Sequence, residues 1–400
     1  MRNIFVEEHQ QLPVDKRMVE VVERKGLGHP DYICDAAMNQ VSVELSKEYI
    51  KRFGHVLHHN TDKSLLAAGR ASLAFGGGRI DEPMLMVMGD RATYEFEGVE
   101  IPVQNIVENA ARKWFKENLR FVEPDKHLCF QNQLRRGSAE LTDIFNRKEI
   151  GANDTSAAVG YAPMSRLERL VLDTELFLNS KEFKKQHPES GEDIKVMGLR
   201  TNDEFHFTVA MAFVDSFINS ESEYFSKKKE ITEELREFVG PQVGKKFRVD
   251  LNTLDEHGRG IKGIYLTVLG TSAEDGDSGQ VGRGNRVNGV IPLNRPISNE
   301  AAAGKNPVSH VGKIYNLLTH RMAGHIYREV PGIEEIYVWL LSQIGKPIDQ
   351  PKVIAVQLIS KKNSPDSRSL SMQVEEIIEK ELDDIQSFCK LLIEGKIPVC

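Results

Sequence analysis

Phe205-His-Phe-Thr-Val-Ala-Met-Ala-Phe213 places an apolar side chain at every second residue: Phe205, Phe207, Val209, Met211 and Phe213. Successive side chains of a strand point to opposite faces, so a period of two predicts a half-buried strand with one face on a core. Met84-Leu-Met-Val-Met88, Ile336-Tyr-Val-Trp-Leu340 and Val353-Ile-Ala-Val-Gln-Leu-Ile359 are short apolar runs that also fit strands. Helical patterns lie between them. Ile33, Ala37, Val41 and Leu45 recur at four-residue spacing with Gly54 as a stop, and Val103, Val107, Ala110 and Trp114 form a similar stripe. Ser165-Arg-Leu-Glu168 is a capping box that opens a helix running through Leu178. Another helix is expected from Val308 through Met322, and a last one from Val374 through Leu392 to Gly395. Strands come in groups followed by single helices rather than in strict alternation. This order predicts an α+β protein of several modules, each a sheet with helices on one face.

The chain has 400 residues, enough for two or three domains at about 150 residues each. It is 40% apolar and 28% charged, which excludes a disordered acidic chain. A net charge of −7 argues against a nucleic-acid protein that works through a uniform basic surface, while leaving room for a local basic pocket. Cysteines at 34, 129, 389 and 400 contain no CxxC pair, so neither a disulfide framework nor a zinc ribbon is expected. No apolar run reaches the roughly 18–20 residues of a membrane helix, and acids follow the start where a signal peptide would turn apolar. A cytoplasmic protein is the expectation.

Two stretches, roughly 122–162 and 270–307, lack periodicity, and long aperiodic loops in compact proteins usually carry function or move. Gly270-Thr-Ser-Ala-Glu274-Asp275-Gly-Asp277-Ser-Gly279 packs carboxylates into a tight turn, an arrangement easier to sustain with a cation nearby. Arg283 and Arg286 follow among glycines. The spacing matches neither an EF-hand nor a P-loop, and a solvated hairpin would use the same residue types. Gly26-Leu-Gly28-His29-Pro30-Asp31 precedes a helix, whose free N–H groups suit phosphate, with His29 as a donor and Asp31 as an oxygen ligand for a hard cation. An ordinary capped helix is the plainer reading. Gly304-Lys305-Asn306-Pro-Val-Ser-His310 leads into a further helix, where a lysine beside glycine suits phosphate. Arg135-Arg-Gly137-Ser138, Gly151-Ala-Asn-Asp154 and His59-Asn-Thr-Asp62-Lys63 are weaker polar clusters that turn chemistry alone could explain.

Taken in order, the segments at 26–31, 151–154, 270–279, 282–289 and 304–315 resemble the S-adenosylmethionine synthetases (methionine adenosyltransferases) of archaeal type. The resemblance spans nearly the whole chain. It departs from the bacterial and eukaryotic branch at Gly284, where that branch continues with a basic GRK, and at His310 and Gly312, where that branch has a lysine and an aspartate. It implies three interleaved α+β domains with approximate threefold pseudo-symmetry: 1–20 with 163–268, 21–121 with 269–300, and 122–162 with 301–400. It also implies a homodimer with active sites at the interface, ATP and L-methionine as substrates, Mg²⁺ as the metal and K⁺ as a further candidate.

In the family's reaction the thioether of methionine attacks C5′ of ATP, and the departing tripolyphosphate is cut to pyrophosphate and phosphate. Sulfur needs no deprotonation, so catalysis is positioning and charge stabilisation. By resemblance, His29 donates to the breaking C5′–O bond or the α-phosphate, and Arg283 and Lys305 hold the triphosphate with Lys63 and Arg286. Asp31 and Asp277 bind Mg²⁺, helped by Asp275 or Glu274. Gly28, Gly137, Ser138, Asn306 and His310 join the substrate site, Asp154 contacts methionine or nucleoside, and Asp203 is a further polar contact. Two rivals need overlapping equipment: a metal-dependent nucleotide or polyphosphate phosphohydrolase, and a nucleotide-sensing scaffold.

Overall fold

A computed structural model of the chain describes residues 2–138, 145, 151–361 and 366–400. Three mixed sheets carry the fold. In the central sheet the strands run in the order Phe247–Leu251, Glu204–Val214, Ser190–Thr201, Val19–Lys25 and Ile291–Pro292. Its long hairpin is the expected alternating strand. Phe205, Phe207, Val209, Met211 and Phe213 are buried with Ile194 and Val196 beneath the helices Arg166–Leu178 and Glu221–Val243. Lys195, Met197, Leu199, Thr208 and Ala210 occupy the other, open face.

A second sheet orders Leu128–Arg135, Met84–Ala92, Leu65–Ala67 and Gly279–Gln280 under the helices Pro30–Phe53 and Val103–Asn118. A third orders Ile4–Glu8, Val353–Ser360, Ile333–Leu341 and Ala157–Ala162 against the helix Val311–Glu329. These two sheets share one continuous apolar core, whereas the central sheet has its own. The architecture is α+β, as the grouped strands predict.

Caps and stops fall where the sequence puts them. Gly54 ends its helix in the left-handed conformation, and Ser165 and Glu168 form both halves of the capping box. Three details differ. The helix after the GKN loop begins at Val311 with His310 as its N-cap, not at Val308. The last predicted helix is two, Ser367–Asp383 and Ile385–Ile393, because Asp384 leaves helical geometry at φ −93° and ψ 11°. Ile378 and Ile385 are spaced as in one continuous helix, so periodicity cannot reveal that break. Finally, Ile4–Glu8 pairs with Val353–Ser360, Val19–Lys25 enters the central sheet, and Leu128–Arg135 joins Met84–Ala92, all across the expected domain boundaries. A period of two fixes which face is buried, not which neighbour is paired.

A buried arginine joins the modules. Arg295 donates to Glu168 at 2.9 Å on the helix over the central sheet and pairs with Glu335 at 2.6 Å in the third sheet, with its guanidinium 4.3 Å from the Tyr161 ring centre. Arg295→Met should leave two buried carboxylates without a cation and cost about 3–5 kcal/mol. The urea midpoint measures it, and adding Glu335→Gln, which removes one of those charges, should recover part of the loss.

Candidate functional site

Val19–Lys25 runs into Gly26 and Gly28, which cross close beneath the neighbouring strand: Gly26 N donates to the Ile194 carbonyl at 2.6 Å and Gly28 N to that of Glu192 at 2.9 Å. A Cβ on Gly28 would collide with the backbone of Glu192 and Asp193, so only glycine fits. His29 then caps the helix in extended geometry, its Nδ1 accepting from Asp31 N at 3.2 Å. An Nδ1 that accepts leaves the proton on Nε2. Burial, reinforced by the nearby Lys25 charge, pushes His29 down to about 4, so at neutral pH it is an uncharged Nε2–H donor.

The acidic hairpin lies directly on this helix start. Gly279 has no room for a Cβ because the Pro30 carbonyl occupies that space. The contact lets Gln280 N donate to Asp31 Oδ1 at 2.9 Å and Gly282 N to Asp35 Oδ1 at 2.8 Å. Lys25 Nζ bridges Asp31 Oδ2 at 2.8 Å and the Arg283 carbonyl at 2.7 Å. The result is a cavity of about 470 Å³ lined by His29, Asp31, Asp277 and Arg283 together with Lys25 and Lys195.

Asp31 and Asp277 present two carboxylates to that space. Among the described residues no group of three or more His, Cys, Asp and Glu forms a metal cage. That donor set fits Mg²⁺, which usually takes one or two carboxylates and completes its shell with water and substrate phosphate.

A second knot adjoins the first through the sheet. Leu65 and Leu66 pair with Gln280 and Gly279, and Lys63 and Asp62 immediately precede that strand. Lys305, only 2% exposed, pairs with Asp62 and with Glu300 at 3.0 Å, while Lys63 Nζ reaches Asp62 at 2.7 Å. Burial alone would raise Asp62, but Lys305 and Lys63 outweigh it and hold the carboxyl below its usual range. His310 repeats the His29 device: its Nδ1 accepts from Gly312 N at 3.2 Å, and burial pushes it down to about 3. Asn153 N donates to the Ser309 carbonyl at 3.1 Å, which sets the Asp154 turn beside this helix entrance. Gly137 and Ser138 follow the strand whose end pairs with Asp90 and Arg91, near the same knot, while 139–144 and 146–150 of their loop lie outside the described residues.

Other expected site residues have structural jobs. Arg286 turns into its own hairpin, donating to the carbonyls of Gly282 at 3.2 Å and Gly284 at 3.1 Å. Asn306 braces the loop through the Leu57 carbonyl at 3.0 Å and Val308 N. Buried Glu274 accepts from Val268 N and Leu269 N, which makes it a brace for the turn, and burial pushes it up to about 8. Asp275 is exposed and does not line the cavity. Asp203 sits in the turn at the tip of the central hairpin, eight residues beyond Lys195; the strand between Lys195 and its end at Thr201 alone spans about 20 Å at 3.3 Å per residue. Within one chain it does not join the cluster. Lys25, Lys195 and Asp35 are the members that reading the sequence passes over, while Asp62 stands out there only as part of a weak polar cluster.

An uncharged imidazole, three cations and two carboxylates around one cavity are the equipment of an enzyme that handles phosphate-bearing substrates. The chain belongs to the S-adenosylmethionine synthetase (AdoMet synthetase) family, whose profile matches residues 2–396. It is 48% identical over 404 residues to the S-adenosylmethionine synthase of Thermococcus onnurineus, covering 100% of this chain and 99% of that one. It is 45% identical over 400 residues to that of Archaeoglobus fulgidus, covering 99% of each. A solved structure of an unusual S-adenosylmethionine synthetase from Campylobacter jejuni superposes with a TM-score of 0.60 at 16% identity, covering 92% of this chain and 89% of that one, and shares the fold.

The Asp62 environment predicts an acid response. Its carboxyl titrates lower folded than unfolded, near 3.9, so its stabilisation is complete above about pH 4 and is lost as pH falls further. Asp62→Asn should melt lower at pH 7 and lose less melting temperature than the parent between pH 5 and pH 3. Parallel acid limbs in the two proteins would contradict this.

Proposed function

We propose that the His29 corner and the Lys305 knot hold the triphosphate of ATP while the sulfur of methionine attacks C5′. The chain is a methionine adenosyltransferase, making S-adenosyl-L-methionine from ATP and L-methionine. The observation that carries the residue assignment is the shared cavity of His29, Asp31, Asp277 and Arg283.

The sulfur lone pair forms the new S–C5′ bond, and the electrons of the C5′–O bond leave with the tripolyphosphate. No proton need move at sulfur. His29 Nε2–H donates to the departing oxygen, while Lys25, Lys195 and Arg283 take up charge along the tail. Water then splits the tail into pyrophosphate and phosphate. Asp31 and Asp277 would hold Mg²⁺, which when bound neutralises phosphate charge; K⁺ remains a second candidate cation. Asp154 contacts methionine or nucleoside from the turn beside His310.

The open face of the central sheet supports a homodimer with the site at its interface. Met197, Ala210 and the 95% exposed Leu254 line a cavity of about 550 Å³ there, which meets the catalytic corner at Lys195. Among the described residues no helix is long and apolar enough to cross a membrane. A cytoplasmic setting suits four cysteines that are all free.

Mass spectrometry of the product from ATP, methionine and Mg²⁺ tests the reaction, and nucleotide hydrolysis with no sulfonium would replace it with a phosphohydrolase. His29→Asn keeps an N-cap but shortens the donor. It should retain substrate binding and lower kcat by roughly 10²–10³; near-normal turnover would remove His29 from the mechanism. Asp277→Asn should shift the Mg²⁺ titration of activity to higher concentration, and an unchanged curve would move the metal elsewhere.

A further inference from the structure

Asp35 lies one turn beyond Asp31 on the helix Pro30–Phe53, 3% exposed, and none of the roles above uses it. Residues four apart share a helix face, so both carboxylates look toward the hairpin. Asp35 accepts from Gly282 N at 2.8 Å, and its other oxygen packs against Gly284, whose backbone amide favours the charged carboxylate. Arg283 is the residue between those two amides, and its carbonyl is held from a third side by Lys25 at 2.7 Å. Across the loop, Arg286 binds the carbonyls of Gly282 and Gly284, so the backbone of these two glycines is held between an acid on one side and a base on the other. Gly284 is not in the left-handed region, yet a Cβ there would overlap Asp35 Oδ2. Its glycine is therefore explained by space for the carboxylate, not by backbone conformation.

We propose that Asp35 is a positioning residue, clasping Gly282 and Gly284 so that the intervening Arg283 is presented to the triphosphate at a fixed distance from His29 and Asp31. This rests on the reading that Arg283 holds the tail. The helix that carries the imidazole and the carboxylate of the corner also carries the clasp, so helix and arginine loop keep one spacing.

The test is equilibrium binding of inorganic tripolyphosphate with Mg²⁺ to the full chain, with kcat and KM for ATP alongside. Asp35→Ala should weaken tripolyphosphate binding roughly tenfold or more, as loss of an outer-shell partner does for ligating groups. In an Arg283→Ala background the same change should have no further effect. Gly284→Ala alone should also lose binding, and combining it with Asp35→Ala should be no worse than Asp35→Ala, because the colliding oxygen is gone. An undiminished Asp35 effect in the Arg283→Ala background would overturn the proposal, as would fully additive losses for Asp35 and Gly284. Should Arg283→Ala bind tripolyphosphate normally, the error lies in the assignment of Arg283 itself, and the proposal falls with it. Asp35→Asn, which fills the same space, carries the comparison if the alanine variant does not fold: it should lose binding only when Arg283 is present, and the same loss without Arg283 would count against the clasp.

Discussion

The hairpin at 279–284 meets the first turn of the helix Pro30–Phe53 backbone to backbone at Gly279, and the rest of the site follows from that contact. Gly279 against the Pro30 carbonyl brings Gln280 N to Asp31 and Gly282 N to Asp35. Asp31, Asp35 and Asp277 are thereby gathered at one corner, where unit charges 4 Å apart repel by about 4 kcal/mol at an effective dielectric of 20. The repulsion is met locally. Lys25 answers Asp31, backbone amides answer Asp35, and the helix N-terminus adds positive potential. Asp35 is only 3% exposed, and that burial still pushes it up to about 7.

Two helices in this protein open on a histidine whose Nδ1 accepts from the N–H two residues on, at 29 and at 310. The capping bond fixes the tautomer, and burial keeps both rings uncharged at neutral pH. For chemistry that creates a sulfonium, an uncharged donor has an advantage over an imidazolium: it can hydrogen-bond to a departing oxygen without repelling the cation that forms at sulfur. In the proposed mechanism the formal positive charges of Lys25, Lys195, Arg283 and Lys305 meet the polyphosphate and not the sulfur. This division of labour is a consequence of backbone geometry, since the cap and the tautomer are one bond.

Local features were legible in the sequence and long-range ones were not. Strand periods at 205–213, the capping box at Ser165 and the Gly54 stop depend on neighbours a few residues away, and each is found where the pattern puts it. The GHPD and GD…GR motifs were visible for the same reason. Nothing in the sequence singles out Lys25 or Lys195; only the register Lys195↔Lys25 between their two strands sets them side by side at the cavity. Conversely Glu274, Arg286 and Asn306 resemble reactive residues by composition but hold loops together, because a long turn has many backbone groups to satisfy. Asp203 carried a polar signature with no way to show that it lies a strand's length from Lys195.

The two charged knots are parts of one rigid path. Asp62 and Lys63 lead into Leu65–Ala67, which pairs with Gly279–Gln280, whose next residues carry Arg283; Asn60 bridges to Lys305. A flexible polyanion gripped at one end would keep most of its freedom and leave its far phosphate free to swing. Held at two points whose separation is set by a sheet, it loses that freedom on binding, before the bond breaks, so the entropy is not lost again at the transition state. The same two-point hold suits a reaction whose leaving group must stay in place to be hydrolysed, which links the short strand Leu65–Ala67, unremarkable by its sequence, to both halves of the chemistry.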